Sequence, residues 1–116
     1  MICCKYQTGK LKKKMVKEIE YTIEVLKQRQ IKARKFEKLM SNREFKELIL
    51  TDYLQDEPVR LTSMLVHPQH REGAVSQLIG IARFNEHINY MQSLFAQVDK
   101  DLQDAEEMRD QLLAEE

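Results

Sequence analysis

Chain breakers are scarce in this sequence, with only three Gly and two Pro across its 116 residues. That scarcity excludes turn-rich sandwiches and barrels and suits long helices. Trp is absent and aromatics are few, so the core is expected to be aliphatic, with the six Met as adaptable filler. The two Cys are neighbours, Cys3 and Cys4, which excludes a disulfide framework and points to a reducing, intracellular setting. The opening Met1-Ile2-Cys3-Cys4-Lys5-Tyr6 is too short an apolar run for a signal peptide. No stretch approaches the roughly 18 apolar residues of a spanning helix, so a soluble product is expected. By length the chain is one domain.

Net charge is also missing, but the zero total hides an asymmetry. Residues 1–46 hold fourteen Lys or Arg against five Glu, a net of +9, and residues 47–116 hold five against fourteen acids, a net of −9. Such a split has two readings. The basic half meets nucleic acid or another acidic partner, or the two halves lie side by side and neutralise each other. Opposite charges along facing helices guide pairing and register, which favours the second.

What the sequence does contain is a long apolar repeat. Ile81, Phe84, Ile88, Met91, Phe95, Val98, Leu102, Ala105 and Leu112 recur at alternating steps of three and four, interrupted only at Arg109. This is a heptad seam on one helix packed lengthwise against another. At about 1.5 Å per residue, the stretch from Ile81 to Leu112 is roughly 48 Å long.

A partner seam lies in the basic half: Val16, Ile19, Ile23, Leu26, Gln30, Ala33 and Met40, with Ile31, Phe36 and Leu39 broadening it. Gln30 at a core-type position either fixes register or is a solvated gap. An antiparallel hairpin sets Val16 near Leu112 and Met40 near Ile88, with Lys10 to Lys17 beside Glu106 to Glu116. Exposed pairs of that kind contribute only about 0.3–0.5 kcal/mol each, so their role is orientation. A parallel dimer through the last helix's seam is the competing arrangement, and a thin stalk favours some oligomer in either case.

The expected architecture is all-α: a long antiparallel, coiled-coil-like hairpin with a small head of two short helices. Its helices are predicted at about 13–40, 42–55, 57–66 and 74–114, forming one domain over 15–116. Residues 1–14 stand apart, because Thr8-Gly9 should break a helix and Lys10 with Lys12 to Lys14 form a basic cluster. They are either an extension before a start at Met15 or a basic arm that orders on a partner.

Ser41 with Glu44 reads as a capping box opening the second helix, whose inward side is Phe45, Leu48, Ile49 and Leu54, with Tyr53 beside them. Asp56-Glu57-Pro58 restarts the chain or kinks a continuous helix. Val59, Leu61, Met64 and Leu65 face inward from the third helix, which His67-Pro68 stops. A turn is expected over His70 to Ala74, at Gly73. The last helix begins apolar on several sides, at Leu78, Ile79, Ile81, Ala82, Phe84, Ile88 and Met91, and is expected to be covered there by several neighbours.

No catalytic constellation is present: no phosphate loop, no nucleophile elbow and no Ser-His-Asp set. The acids of the last helix, among them Asp101, Asp104, Glu106, Glu107 and Asp110, read as a solvated face, because catalytic carboxylates need a cleft that separates their pKa values. His67 and His70 have a metal-compatible spacing but flank a proline, and only Cys3 and Cys4 offer soft ligands. They read as turn residues, and neither metal nor cofactor is expected. Glu57 and Arg60, at i and i+3, can pair. The cations Lys27, Arg29, Lys32, Arg34, Lys35 and Lys38 are the candidate nucleic-acid contacts, with a steep salt dependence expected if they bind.

The middle of the chain carries a resemblance. Asn42-Arg43-Glu44-Phe45-Lys46-Glu47-Leu48-Ile49, Asp52-Tyr53-Leu54, Glu57-Pro58-Val59-Arg60-Leu61 and His67-Pro68 are followed by an Ile-bearing helix from Leu78 to Tyr90. Over residues 42–90 this resembles small α-helical proteins of tailed-bacteriophage structural and assembly modules, departing from their pattern at Asp52, Pro58 and His67. The resemblance implies a phage structural or assembly gene, in the host-cell cytoplasm or the virion.

The sequence thus predicts a non-enzymatic helical interaction protein. Its partners would be proteins, either further copies of itself or phage structural components, with no membrane and no small-molecule substrate. A nucleic-acid-binding accessory factor for DNA packaging or recombination, using the first helix, is the alternative. An acidic decoy using the last helix is a third. The interface seam is assigned to Ile19, Ile23, Leu26, Ile81, Phe84, Ile88, Met91, Phe95, Val98 and Leu102.

Overall fold

The computed structural model describes residues 2–115, with side chains described from Gly9 to Glu115. Cys3 and Cys4 therefore lie outside the described side chains. The chain is all-α: helix α1 spans Ile2–Met40, α2 Arg43–Phe45, α3 Glu57–Ser63, α4 Pro68–Ala96 and α5 Val98–Ala114. A π-helical segment, Lys46–Asp56, joins α2 to α3, and a 3-10 turn, Met64–Val66, follows α3. The fold is a long antiparallel helical hairpin and a small helical head. It packs as two compact units, Met1–Ala33 with Phe95–Glu116, and Arg34–Leu94.

In the first unit, Ile23, Leu26 and Ala33 of α1 are buried with Val98 and Leu102 of α5, and Ile19, Phe95 and Ala105 pack around them. Gln30 Nε2 donates a 2.8 Å hydrogen bond to Asp99 Oδ1. That bond fixes the register. Residue numbers across the pair sum to about 129 at this point, against 128 for the expected Val16–Leu112 pairing. Leu26 then lies level with Leu102, and small Ala33 level with Phe95. The expected contacts from Lys10, Lys12, Lys13, Lys14 and Lys17 to the acids of α5 are not made as ion pairs among the described residues. These side chains keep their heads in water, where holding two long chains together costs more entropy than high-dielectric attraction returns. Apolar interdigitation and the Gln30–Asp99 bond set the alignment instead.

In the second unit, Leu61, Ala74 and Ile81 are buried together, with Leu54, Met64, Leu65 and Leu78 around them. Leu61 is 0% exposed, which makes it the centre of this core.

Several boundaries differ from expectation for identifiable reasons. Thr8-Gly9 does not interrupt α1. A single helical Gly costs about 1 kcal/mol relative to Ala, which a 39-residue helix absorbs. The cap of α2 is Asn42 rather than Ser41: its side chain accepts a 2.8 Å bond from the Phe45 N–H.

No restart occurs at Asp56. It stays helical with no side-chain capping bond, and the chain continues into α3 as a helix of altered register. Pro58 is the cause. In an α-helix its ring would strike the Leu54 carbonyl and its missing N–H would leave that carbonyl unbonded. The preceding turns are widened, and the Glu57 N–H bonds Asp52 five residues back. Widening also rotates the side chains. Phe45, Ile49, Leu50 and Leu54, related by fours and fives, are half-buried, while Leu48 is turned out to solvent.

The turn before α4 falls at His67, which is extended at φ −98°, ψ 110° as a residue before proline prefers. Pro68 then opens α4, where a missing N–H costs nothing, and Gly73 is helical. Arg71 Nε closes the turn by donating to the Leu65 carbonyl at 2.8 Å. The last helix pauses once at Gln97, between α4 and α5. Its backbone stays right-handed there, so the seam keeps its phase from Phe95 to Val98.

Candidate functional site

The seam residues assigned from sequence separate by burial. Ile23, Leu26, Ile81, Ile88, Val98 and Leu102 are buried, and Ile19, Met91 and Phe95 are half-buried. Phe84 departs from the pattern. It is 41% exposed and makes an edge-to-face contact with Tyr53, ring centres 5.9 Å apart. Ile31 and Leu39, expected to broaden the α1 face, point to solvent, and only Phe36 of those three is half-buried. Val59, expected inward, is 72% exposed. One turn of helix cannot turn both Val59 and Leu61 to the same side, and Leu61 takes the core.

Helix α4 holds the least expected surface. Its early part is apolar on several sides, a composition that normally calls for cover by several neighbours. Only one side is covered, through Ala74, Ile81 and Ile88. Val75, Ile79 and Ala82, at i, i+4 and i+7 on the outward stripe, remain in solvent, Val75 and Ile79 at 41% and 49% exposure. The sequence shows that this part of α4 has more apolar sides than one neighbour can cover. It does not show which side is left over, and Val75 is legible only as a helix start.

The six candidate cations lie along α1. Lys27, Lys32, Arg34, Lys35 and Lys38 are exposed and Arg29 is half-buried. Residues 27–38 carry six cations and one acid, Glu37. At ~100° per residue, Arg29 projects from a different flank than Lys27. In the second unit, Arg34 Nη1 pairs with Glu37 Oε1 at 3.0 Å. Lys35 and Lys38, with Leu39 and Asn42, line an open groove of about 290 Å³. Leu39 and Asn42 were not legible as members of this surface, because the groove depends on where α1 stops.

An ionic contact on α3 shifts the titration of both its partners. Arg60 Nε lies 3.1 Å from both Glu57 carboxylate oxygens, and Arg60 Nη2 also donates to Glu57 Oε1. This fork holds the Glu57 carboxyl below its ordinary value through hydrogen bonding, and it raises Arg60. Arg60 Nη1 also reaches Met64 Sδ at 3.3 Å, so the fork sits against the rim of the Leu61 core. Both partners lie on one helix at the surface, which gives them a local structural role.

His67 and His70 meet edge to face, ring centres 6.4 Å apart, across the turn into α4. Among the described residues no group of three or more His, Cys, Asp or Glu is placed to hold a metal ion. None of the described helices is long and apolar enough to cross a membrane. The surface therefore offers an apolar stripe and a basic face.

Compared with known protein families, curated proteins and solved structures, the chain matches none.

Proposed function

We propose that this chain is a non-enzymatic helical interaction protein that binds a protein partner through the outward stripe of α4. The observation that carries the reading is the exposure of Val75, Ile79 and Ala82 on a stripe that flanks the buried side of the helix. Apolar side chains in a row on an outer helix face gain by being covered, at about 25 cal/mol for each Å² removed from water. The resemblance of residues 42–90 to phage assembly modules makes a virion or assembly-intermediate protein the partner class to test first. A photo-crosslinking residue at position 79, in the producing cell, should form an adduct with a particle protein, and Val75→Glu in the same chain should abolish it. Equal or weaker labelling from position 79 than from exposed Tyr21 would defeat the reading.

A second reading is favoured by the basic face. Lys35 and Lys38 flank an open groove, and residues 27–38 carry a net charge of +5. A groove with paired cations and few acids suits a phosphate backbone. In this reading the chain is a nucleic-acid-binding accessory factor. Gel mobility at low and moderate salt, comparing the native chain with Lys32→Glu/Arg34→Glu/Lys35→Glu, tests it. Absence of a shift at low salt ends it.

A further inference from the structure

The first unit has a second, incomplete seam. With Ile19 at heptad position d and Ile23 at a, the flanking c and g positions of α1 include Leu11, Met15 and Val25, all exposed. With Leu102 at a, Met108 of α5 falls at g and is exposed too. Reversing chain direction puts the g flanks of both helices of an antiparallel pair on the same side. Leu11, Met15, Val25 and Met108 therefore share one side of the hairpin, interleaved with Glu18, Thr22, Arg29, Asp101 and Asp104.

We infer that this side is covered by the same side of a second copy, forming a four-helix bundle. Charge decides both the occupant and the arrangement. On the facing c and g positions the first helix carries Arg29 and Lys32 against Glu18, a net of +1, and the last helix carries Asp101, Asp104 and Glu115, a net of −3. Two hairpins can meet on like faces about either of two in-plane two-fold axes. An axis across the helices sets α1 on α1 and α5 on α5, +1 against +1 and −3 against −3. An axis along the hairpin sets each α1 on its partner's α5, +1 against −3, and encloses Met15, Val25 and Met108 between the copies. The second arrangement sets opposite net charges against each other. It alternates sign around the bundle, as flanking charges do where they select partners. It places Val25 of one copy level with Asp104 of the other, since 25 and 104 give the same sum as Gln30 with Asp99. This surface is separate from the α4 stripe and stands or falls independently of it.

Light scattering on the full chain should give twice the 13.8 kDa chain mass. Met15→Glu/Met108→Glu should halve that mass with the helical circular dichroism unchanged, and Val75→Glu/Ile79→Glu should leave it doubled. In a Cys3→Ser/Cys4→Ser background, mixing Val25→Cys chains with Asp104→Cys chains should give mainly the mixed disulfide. A monomeric native chain, a dimer dissolved by the α4 substitutions instead, or a preference for the Val25→Cys self-disulfide would each overturn the inference.

Discussion

Gln30 and Asp99 meet across the hairpin, amide nitrogen to carboxylate oxygen at 2.8 Å. Gln30 occupies a position where the heptad asks for an apolar side chain, flanked along α1 by buried Leu26 and Ala33. A polar residue there reduces stability in return for alignment, because only one register lets it find its partner. Gln30→Leu is therefore expected to raise the melting temperature. Gln30→Ala, which removes the bond and adds little packing, should cost about 0.5–1.5 kcal/mol. Thermal and urea denaturation followed by circular dichroism check both, and a stabilised Gln30→Ala would contradict the assignment.

Leu61 and Val59 separate packing from pattern. Leu61 is fully buried among Ala74 and Ile81, while Val59 on the same short helix faces water. Leu61→Ala should cost about 2–5 kcal/mol. Val59→Ala should stay within about 0.5 kcal/mol of the native chain. Equal costs in denaturant unfolding would mean that the core of the second unit is wrongly placed.

That contrast shows how far the residues could be read directly. The seams of α1 and of α4 with α5 were legible because a three-four repeat leaves few other structures, and the register followed from aligning them. The middle of the chain was not. Pro58 converts the preceding turns to a wider register, and a periodicity argument built on α-helical spacing then puts Leu48 on the wrong side. The candidate site was half legible. Surplus apolar residues on α4 could be seen, but which of them stay uncovered depends on where α3 packs.

Asn42 rather than Ser41 closes the start of α2, through its side-chain oxygen and the Phe45 N–H. Asn42→Ala is expected to cost about 1 kcal/mol and Ser41→Ala close to nothing. Denaturant midpoints of the two variants separate the caps, and the reverse order would restore the capping box read from Ser41 and Glu44.

The Glu57–Arg60 fork gives a pH signature of known sign. Glu57 is held below its ordinary value of 4.5, so its ionised form stabilises the fold above that pH. The contribution disappears as pH falls through the depressed folded-state value. Glu57→Gln should therefore melt lower than the native chain at neutral pH, with the two curves converging under acid conditions. A gap that persists or widens in acid would show that the carboxylate is not the source.

The most direct test of the account is a disulfide at the hairpin's own hydrogen bond. In a Cys3→Ser/Cys4→Ser chain carrying Gln30→Cys and Asp99→Cys, oxidation should give an intrachain link. It would appear as a faster-migrating monomer band on a non-reducing denaturing gel, with helical content retained. A free thiol pair after oxidation, or a link formed only between chains, would show that α1 and α5 of one molecule do not lie side by side.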